Sequence, residues 1–343
     1  MTRASIVVPT HDTPTLDLAV ASALAQTEPD LEVVIVGDGV AAGTREVGES
    51  LAREDERVRF FDLPKGEHHG EVHRDRIVRE ELRSPVAFYL CDDDLLLPEH
   101  VETLLGLLDD ADLVNSMNGY LDVAGRFVPH FSDLASDEHR RWLMAPDQNS
   151  VSVTGTAHRV ATYRRLPVGW QPPAPGRWTD HLLWQKLLAL PGVRAATSSK
   201  VTALQVPTHL EGRHGWDPAQ RRAELERWWQ AINDPVGRRR LEEAIVVGLN
   251  RQGARTQEAL SGCREQVRDL EQANRGLEAA IDAAESEVAV TQAELGSAQD
   301  RIRDLEHRLA LIEGSRVWRL RSRIVRGPLR RLVRGSAGAD EAG

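Results

Sequence analysis

A regular apolar repeat in the C-terminal part of the chain restricts the fold more than any other feature of the sequence. Apolar or small residues recur at alternating steps of three and four, without interruption, between Leu260 and Ile312. Such spacing keeps one stripe of a helix apolar over about seven and a half heptads, which is typical of a coiled coil. The members of the repeat are Leu260, Cys263, Val267, Leu270, Asn274, Leu277, Ile281, Ala284, Val288, Thr291, Leu295, Ala298, Ile302, Leu305, Leu309 and Ile312.

One polar member of this repeat, Asn274, bears on how the helix associates. It falls at an a position if the four-residue step precedes each a position. A buried asparagine at a favours a parallel two-stranded coiled coil in fixed register. The sequence therefore predicts a parallel homodimer through residues 255–313, joined to the rest of the chain by a helical connector at 236–254. A long helix folded back on its own domain and a higher oligomer are the alternatives.

A basic segment follows the repeat. Residues 314–334 contain eight arginines and no acid, with apolar residues that include Trp318 placed between them. This pattern predicts a short basic amphipathic helix at the surface of an anionic membrane. RNA or an acidic partner protein would suit the same charges, and a disordered basic tail is the simplest alternative. Residues 335–343 are predicted to be a disordered tail.

The first 235 residues alternate short apolar strands with helical stretches. Strands are predicted at 5–9, 32–36, 57–63 and 86–90, with helices at 15–26 and 74–82. Apolar strands separated by helices indicate an α/β domain with a mostly parallel sheet that is covered on both faces. Ligands of such sheets bind beyond the carboxyl ends of the strands.

Three adjacent carboxylates follow the fourth predicted strand. Asp92, Asp93 and Asp94 would repel one another at a buried strand end unless a hard divalent cation lay among them. The pattern predicts a Mg²⁺ or Mn²⁺ site that binds the diphosphate of a nucleotide. Asp94 as the cap of a following helix is the alternative, but capping accounts for only one of the three acids.

The second predicted strand ends in a further acid, Asp38, followed by Gly39. A carboxylate at this point can accept hydrogen bonds from a nucleotide base or ribose, although an Asp-Gly pair is also a common turn. Between the third strand and the next helix, residues 65–70 read as a glycine-flanked loop over this site.

Composition excludes several classes of protein. The net charge of −10 argues against nucleic-acid binding by the chain as a whole. Two cysteines, Cys91 and Cys263, form neither a disulfide framework nor a zinc motif. The sequence shows no secretion signal and no apolar run of about 18 residues. The expected location is the cytoplasm, with peripheral contact at the inner face of the cell membrane.

Three motifs taken in order resemble one family. SIVVPTHD, VVIVGDG and FYLCDDDLLLP are similar to the motifs of family 2 glycosyltransferases with the GT-A fold. The resemblance covers about residues 4–185. It implies a GT-A catalytic domain in residues 1–235 that moves a sugar from a nucleotide-diphosphate sugar to a hydroxyl acceptor, with a divalent metal. It also implies inversion at the anomeric carbon.

The resemblance assigns roles at the donor site. Pro9 and Thr10 match the first donor-binding strand end, and Asp38 matches the acid that contacts the base. Arg74 matches an arginine near the donor. Asp93 and Asp94 match the metal-loop pair, and Asp92 stands where it can replace the acid that Cys91 displaces. We therefore expect Asp92 and Asp93 to lie at the donor's diphosphate.

Three further roles fall outside the three motifs. Asp180 matches the base that deprotonates the acceptor in inverting members, with an N-cap of the following helix as the alternative. His209 is the candidate for a third metal ligand. A set of tryptophans, Trp170, Trp178, Trp184 and Trp216, is a candidate acceptor platform, although core packing is the expected place of at least two of them.

The predicted function is glycosyl transfer to a glycan, lipid-linked or other hydroxyl acceptor in the synthesis of cell-surface polysaccharide or glycoconjugates. Two alternatives remain. A nucleotidyltransferase shares carboxylates at strand ends but usually needs a glycine-rich phosphate loop, which residues 9–12 do not supply. A degenerate glycosyltransferase-like scaffold would use the coiled coil and basic segment to assemble partners at the membrane.

Overall fold

The structure, a computed structural model, describes residues 2–206 and 212–317. Its internal contacts divide the chain into two units, one that ends at Gln257 and one that begins at Glu258. The first unit contains a layered arrangement of strands and helices, and the second is helical over its described residues.

The strands of the first unit are short and mostly buried. In the described residues they are β1 (Ala4–Thr10), β2 (Leu31–Asp38), β3 (Val58–Leu63), β4 (Val86–Tyr89), β5 (Leu95–Leu96), β6 (Leu113–Ser116), β7 (Asn118–Leu121), β8 (Phe127–His130), β9 (Thr156–Arg159), β10 (Ala195–Ser198) and β11 (Ala203–Leu204). The central sheet has the order β10-β6-β9-β4-β1-β2-β3. Every neighbouring pair in it is parallel except those of β9, which runs antiparallel to β4 and β6.

The helices lie between these strands and after them. In the described residues they are α1 (Leu16–Leu24), α2 (Ala42–Glu54), α3 (Glu71–Arg76), α4 (His100–Leu108), α5 (Asp137–Leu143), α6 (Val160–Tyr163), α7 (Thr179–Leu188), α8 (Pro218–Asn233) and α9 (Pro235–Gly314). A wider π-helical turn, Ile77–Glu81, continues α3. The capping box of Asp217 and Gln220, with proline at the first position, fixes the start of α8.

Two apolar layers of the core lie on the two faces of the central sheet. Ile6 and Val8 of β1 pack with residues of α1 and α4 on one face. Val7 points to the other face, where it belongs to a cluster with Trp184 of α7. Because both faces are covered, the strands carry continuous apolar runs, and each fully buried valine or isoleucine stabilises the fold by about 1.5–3 kcal/mol.

The first turns of α9 belong to the first unit. Leu241 and Ile245 are buried in a third apolar cluster with Phe127 and residues of α8. A Cβ atom at Gly248 would lie only 2.2 Å from the Phe127 carbonyl oxygen, so the helix approaches β8 more closely than a larger residue allows. The predicted connector at 236–254 is thus continuous with the helix that carries the apolar repeat.

The α/β class and the mostly parallel sheet, both predicted from the sequence, are confirmed. The second unit shows one helix in a single chain, so the predicted coiled-coil pairing stays a prediction. The predicted basic segment 314–334 lies outside the described residues beyond Val317, as does the whole predicted tail 335–343. Within the described residues, no helix combines the length and the apolar character needed to cross a membrane.

Candidate functional site

An open cleft of about 620 Å³ lies at the carboxyl-terminal edge of the parallel strands. Because β1 pairs with both β2 and β4, the residues that end these strands are neighbours. Thr10 ends β1, and Asp38 ends β2. An acidic loop, residues 91–94, begins two residues after the end of β4. Six of the residues predicted for donor binding line this cleft, namely Pro9, Thr10, Asp38, Arg74, Asp92 and Asp93.

The acidic loop, residues 91–94, is held in place by hydrogen bonds from distant parts of the chain. Asp94 is buried, and its carboxylate accepts hydrogen bonds from the Thr154 hydroxyl at 2.6 Å and the Val206 N–H at 3.0 Å. The same Thr154 oxygen accepts from the Cys91 N–H at 2.9 Å. The Thr15 hydroxyl donates to the Asp92 carbonyl oxygen at 2.8 Å. The loop is therefore fixed at both ends.

Burial and mutual repulsion raise the pKa values of three side chains in this loop. Burial, followed by the charge of Asp93, raises the pKa of Asp92 to about 7. The same two causes, in the same order, raise the pKa of Asp94 well above its usual value. Burial also raises the pKa of the Cys91 thiol, and the neighbouring carboxylates add to the effect. A cation among these groups would replace protons and relieve the repulsion.

The geometry fits a divalent cation. One ligand atom each from Cys91, Asp93 and Asp94 lies within 4.8 Å of the other two. Carboxylate oxygens suit Mg²⁺ and Mn²⁺, whereas a protonated thiol does not, so the donor set favours Asp93 and Asp94 with Asp92 beside them. The presence of Cys91 in this group was not predicted, since its sequence position only suggested a lost acid. His209 lies outside the described residues.

Asp38 is buried and is held by the loop of residues 65–70. Its carboxylate accepts a hydrogen bond from the Gly66 N–H at 2.6 Å and contacts the Lys65 ammonium. Burial alone would raise the pKa of Asp38, but the Gly66 hydrogen bond and Lys65 outweigh it and hold this pKa below its usual value. Gly70 adopts a φ of 71°, and a Cβ atom there would lie 2.8 Å from Asp38 Cγ.

Arg74 places a buried positive charge at the floor of the cleft. Its guanidinium carbon lies 4.3 Å from the centre of the Trp170 ring, and Glu71 lies 3.7 Å away. Burial lowers the pKa of Arg74, and Glu71 and Asp180 are among the groups that oppose this. Among the described residues its Nε has no hydrogen-bond partner. This arrangement suits an anionic ligand, which would supply the missing acceptor.

Asp180 lies in the first turn of α7, and its neighbour Thr179 lines the cleft. Its carboxylate accepts from the His181 N–H at 2.8 Å, while Trp178 occupies the N-cap position. Asp180 is thus not the cap that was considered as an alternative. Burial raises its pKa, although hydrogen bonds from His181 and Asn149 partly offset this.

Burial makes two of the four tryptophans of the candidate acceptor platform inaccessible to an acceptor. Trp170 and Trp184 are each only 1% exposed, so at least two of the four pack in the core as expected. The Trp170 Nε1–H donates to the Tyr89 hydroxyl at 3.0 Å. Trp178 is 49% exposed and Trp216 is half-buried, so these two members remain open to an acceptor.

Several lining residues were not predicted as individual binding groups. Lys65, His68 and His69 come from the loop that was expected over the donor site. Arg221 comes from the first turn of α8, more than a hundred residues beyond the acidic loop, and no motif in the sequence pointed to it. Lys65 and Arg221 add positive charge to the cleft that also contains Asp92 and Asp93.

One family model matches the part of the chain that forms most of this cleft. Residues 5–161 match the family model described as Glycosyl transferase family 2. The family 2 match starts within β1 and ends just after β9, so it includes the acidic loop, Asp38 and Arg74. Asp180 lies beyond it. A search of curated proteins finds no match.

The solved structures that match this chain have low sequence identity to it. The crystal structure of S. aureus TarS 1-349 is 16% identical, with 74% of this chain and 72% of that chain covered and a TM-score of 0.48. The mannosyltransferase PcManGT from Pyrobaculum calidifontis, in complex with GDP-Man and Mn²⁺, is 20% identical. In that comparison 71% of this chain and 68% of that chain are covered, with a TM-score of 0.46.

Proposed function

We propose that the first unit transfers a sugar from a nucleotide-diphosphate sugar to a hydroxyl acceptor, with a divalent metal. The observation that carries the proposal is the convergence of Asp93, Asp38 and Arg74 on one cleft at the edge of a parallel sheet. The family 2 match over residues 5–161 supports the same reaction class. Each residue type suits one part of the donor.

The diphosphate of the donor carries most of its charge and becomes the leaving group. Asp93 and Asp94 would hold Mg²⁺ or Mn²⁺, which when bound neutralises charge that develops on the leaving diphosphate. Arg74, whose Nε lacks a partner among the described residues, would donate hydrogen bonds to phosphate oxygens. Arg221 faces the same cleft and would add a second positive charge.

The nucleoside end of the donor would bind near Asp38. Pro9 and Thr10 form the adjacent wall of the cleft, and the His11 ring lies 2.8 Å from the Asp38 carbonyl oxygen. Lys65 already contacts the Asp38 carboxylate, so a base or ribose that binds there would share or replace this contact. Lys65 therefore belongs to the proposed donor site.

We propose that Asp180 is the general base of an inverting displacement. The acceptor hydroxyl gives its proton to the Asp180 carboxylate while its oxygen bonds to the anomeric carbon. The bond from that carbon to the diphosphate breaks, and the electron pair leaves with the diphosphate. A carboxylate whose pKa burial has raised is a stronger base than a solvated one.

The acceptor and cellular setting are proposed from the sequence. A glycan or lipid-linked hydroxyl in polysaccharide or glycoconjugate synthesis fits the reaction. The basic segment 314–334 would bring the enzyme to the inner face of the membrane. Vesicle binding that is lost when Arg330 and Arg331 are changed to glutamine would support this placement, and unchanged binding would reject it.

The central test measures nucleotide products. Purified protein is incubated with UDP-, GDP- and dTDP-sugars, with and without Mn²⁺, and released nucleotide is identified. A nucleoside diphosphate that requires Mn²⁺ supports glycosyl transfer, whereas pyrophosphate indicates a nucleotidyltransferase. Asp93→Asn should abolish release and Asp180→Asn should slow it by a factor of about 10² to 10⁴, while Asp110→Asn, at a side chain 98% exposed, serves as the matched control.

The non-enzymatic alternative has its own outcome in this assay. A degenerate scaffold would show no nucleotide release with any donor or acceptor, although it is folded by circular dichroism. Release that is lost in Asp93→Asn but kept in Asp110→Asn would reject the scaffold.

A further inference from the structure

The second unit exposes a long apolar stripe. In the single chain, Leu270 is 70% exposed, Leu277 63%, Ile281 57% and Leu305 61%. These residues belong to the repeat that starts at Leu260, so they share one face of α9. An apolar face of this length on a helix is a surface for association, because water contact with it is unfavourable. The question is which partner covers it.

Charged residues beside the stripe discriminate between partners. With Asn274 at a, the charged e positions are Arg264, Glu271, Glu278, Glu285, Glu306 and Glu313, and the charged g positions are Glu287, Glu294, Arg301 and Arg308. An anionic membrane would be repelled by this acidic border, since helices that lie on such membranes carry lysine or arginine there. The border instead suits a protein surface with its own arginines.

A second copy of the chain meets that requirement in one orientation. In a parallel pair in register, each g residue faces the e residue five positions later on the other helix. Arg301 then faces Glu306 of the partner subunit, and Arg308 faces Glu313 of the partner subunit. None of the remaining g–e pairs combines two like charges.

The antiparallel orientation is less favourable. If two helices overlap fully along residues 260–312 in opposite directions, Glu285 faces its own copy at the centre of the pair. Glu287 also faces its own copy on the other side. Like charges opposed at the middle of an interface disfavour that arrangement.

The core positions of the repeat agree with a parallel pair. Val267, Ile281, Val288 and Ile302 place β-branched residues at a, and Leu270, Leu277 and Leu305 place leucine at d. This distribution favours two strands. Asn274, which in the single chain donates to Glu278 at 3.1 Å, would face another asparagine only in this register.

We propose that a second copy of this chain covers the stripe in a parallel pair in register, fixed by the Asn274 layer and by the pairs of Arg301 and Arg308 with Glu306 and Glu313 of the partner subunit. The proposal is independent of the reaction at the cleft. It also has a consequence for Cys263, which is a free and exposed cysteine at a d position. Cys263 would lie against Cys263 of the partner subunit.

Oxidative cross-linking tests this placement with the full chain. A disulfide needs Cα atoms within about 7 Å, which facing d residues approach in a parallel pair. Copper phenanthroline with oxygen takes two electrons from two thiols, and each thiol loses its proton. We expect a covalent dimer on a non-reducing gel. Cys263→Ser should abolish the cross-link but remain a dimer by light scattering.

A mixture of two single-cysteine chains tests orientation. One chain keeps Cys263, and the other carries Cys263→Ser with Leu309→Cys; both have Cys91→Ser. The antiparallel pair places 263 against 309, so a 263–309 cross-link would overturn the proposal. The parallel pair gives only 263–263 and 309–309 links. A monomer, or an oligomer larger than two, by light scattering would overturn it as well.

Charge reversal tests the register. Arg301→Glu should raise the dissociation constant of the pair about fivefold, because two symmetric attractions become repulsions. Adding Glu306→Arg to the same chain should restore the wild-type value. Arg275→Glu makes the same change at an exposed b position and should have less than a twofold effect. Equal effects of Arg301→Glu and Arg275→Glu in sedimentation equilibrium would contradict the pairing.

Discussion

The Thr154 hydroxyl donates a hydrogen bond to Asp94 across 2.6 Å, although 60 residues separate the two in sequence. The same oxygen accepts the Cys91 N–H, so one side chain joins both ends of the acidic loop. Thr154 thus orients the proposed metal ligands without being a ligand itself. Replacing a group that orients metal ligands commonly lowers metal affinity by about 10- to 100-fold.

Replacing the Thr154 hydroxyl should weaken metal binding. We expect Thr154→Val to reduce Mn²⁺ affinity at least tenfold, measured by electron paramagnetic resonance titration. The buried Asp94 oxygen would lose a partner, which costs about 1–3 kcal/mol in unfolding free energy. Thr154→Ser keeps the hydroxyl and should bind Mn²⁺ within threefold of wild type. Equal affinities for the valine and serine variants would contradict the orienting role.

The proposed base should affect turnover more than donor binding. Asp180→Asn removes the proton acceptor, so we expect kcat to fall by a factor of about 10² to 10⁴. Donor affinity should stay within a few-fold, since Asp180 is proposed to contact the acceptor and not the donor. Stopped assays of kcat and isothermal titration with the nucleoside diphosphate separate the two. A large loss of donor affinity would argue for a binding role instead.

Activity should also depend on pH through Asp180. The base has to be ionised, and burial raises its pKa above the usual 3.8. Activity should therefore rise with pH along an acid limb that lies above pH 4. The limb should be seen in kcat with saturating donor and Mn²⁺. A flat profile down to pH 4 would exclude Asp180 as the base.

Gly70 should matter because of both its conformation and its contact with Asp38. Gly70→Ala places a Cβ 2.8 Å from Asp38 Cγ and strains a φ of 71°, so we expect nucleotide affinity to fall about tenfold by titration. Gly192→Ala introduces the same strain at a φ of 74° with open space around it. Both variants should lose about 1–2 kcal/mol of stability. Only the first should lose nucleotide affinity.

Two buried histidines should make the fold sensitive to acid. Burial lowers the pKa of His100 to about 3 and that of His158 to about 4, both below the unfolded value near 6.5. Above pH 6.5 both histidines are neutral in the folded and in the unfolded chain. As the pH falls below 6.5, the unfolded chain takes up a proton at each histidine while the folded chain does not, so the fold loses stability until the pH reaches the folded pKa. Between pH 7 and 4.5 we expect a loss of about 2–3 kcal/mol for each histidine.

Urea denaturation at pH 7 and 4.5 measures this loss. His100→Gln should lower stability at pH 7, because its ring is buried and bonded to Thr202 at 2.8 Å, but should reduce the difference between the two pH values. His307→Gln, on the exposed part of α9, is the control and should keep the wild-type difference. An unchanged difference in His100→Gln would refute the assignment.

The sheet and the place of its site could be predicted because both depend on local pattern. Continuous apolar runs at β1, β2 and β4 have few alternatives to buried parallel strands, and the acids that follow them necessarily meet at one edge. Asp38, Asp92 and Asp93 line the same cleft for this reason. The π-helical turn after α3 is not marked by any pattern in the sequence.

Contacts between distant segments could not be predicted in the same way. Thr154 and Arg221 reach the acidic loop and the cleft only through the placement of β9 and α8, which local periodicity does not encode. Cys91 was considered only as a lost acid, yet its sulfur lies among the carboxylates. The burial of Trp170 beneath Arg74 likewise depends on how α7 and the sheet pack.

The reversed direction of β9 has a consequence for biosynthesis. Because β9 runs against β4, its beginning lies where β4 ends, and Gly155 donates to the Tyr89 carbonyl at 3.3 Å. A nascent chain that has emerged only as far as β6 already contains Thr10, Asp38 and all three loop acids, but it lacks the threonine that clamps them. The ribosome must deliver some forty further residues before the hydrogen bonds that hold Asp94 and Cys91 can form, so the acidic loop reaches its final geometry only after β6 has been made.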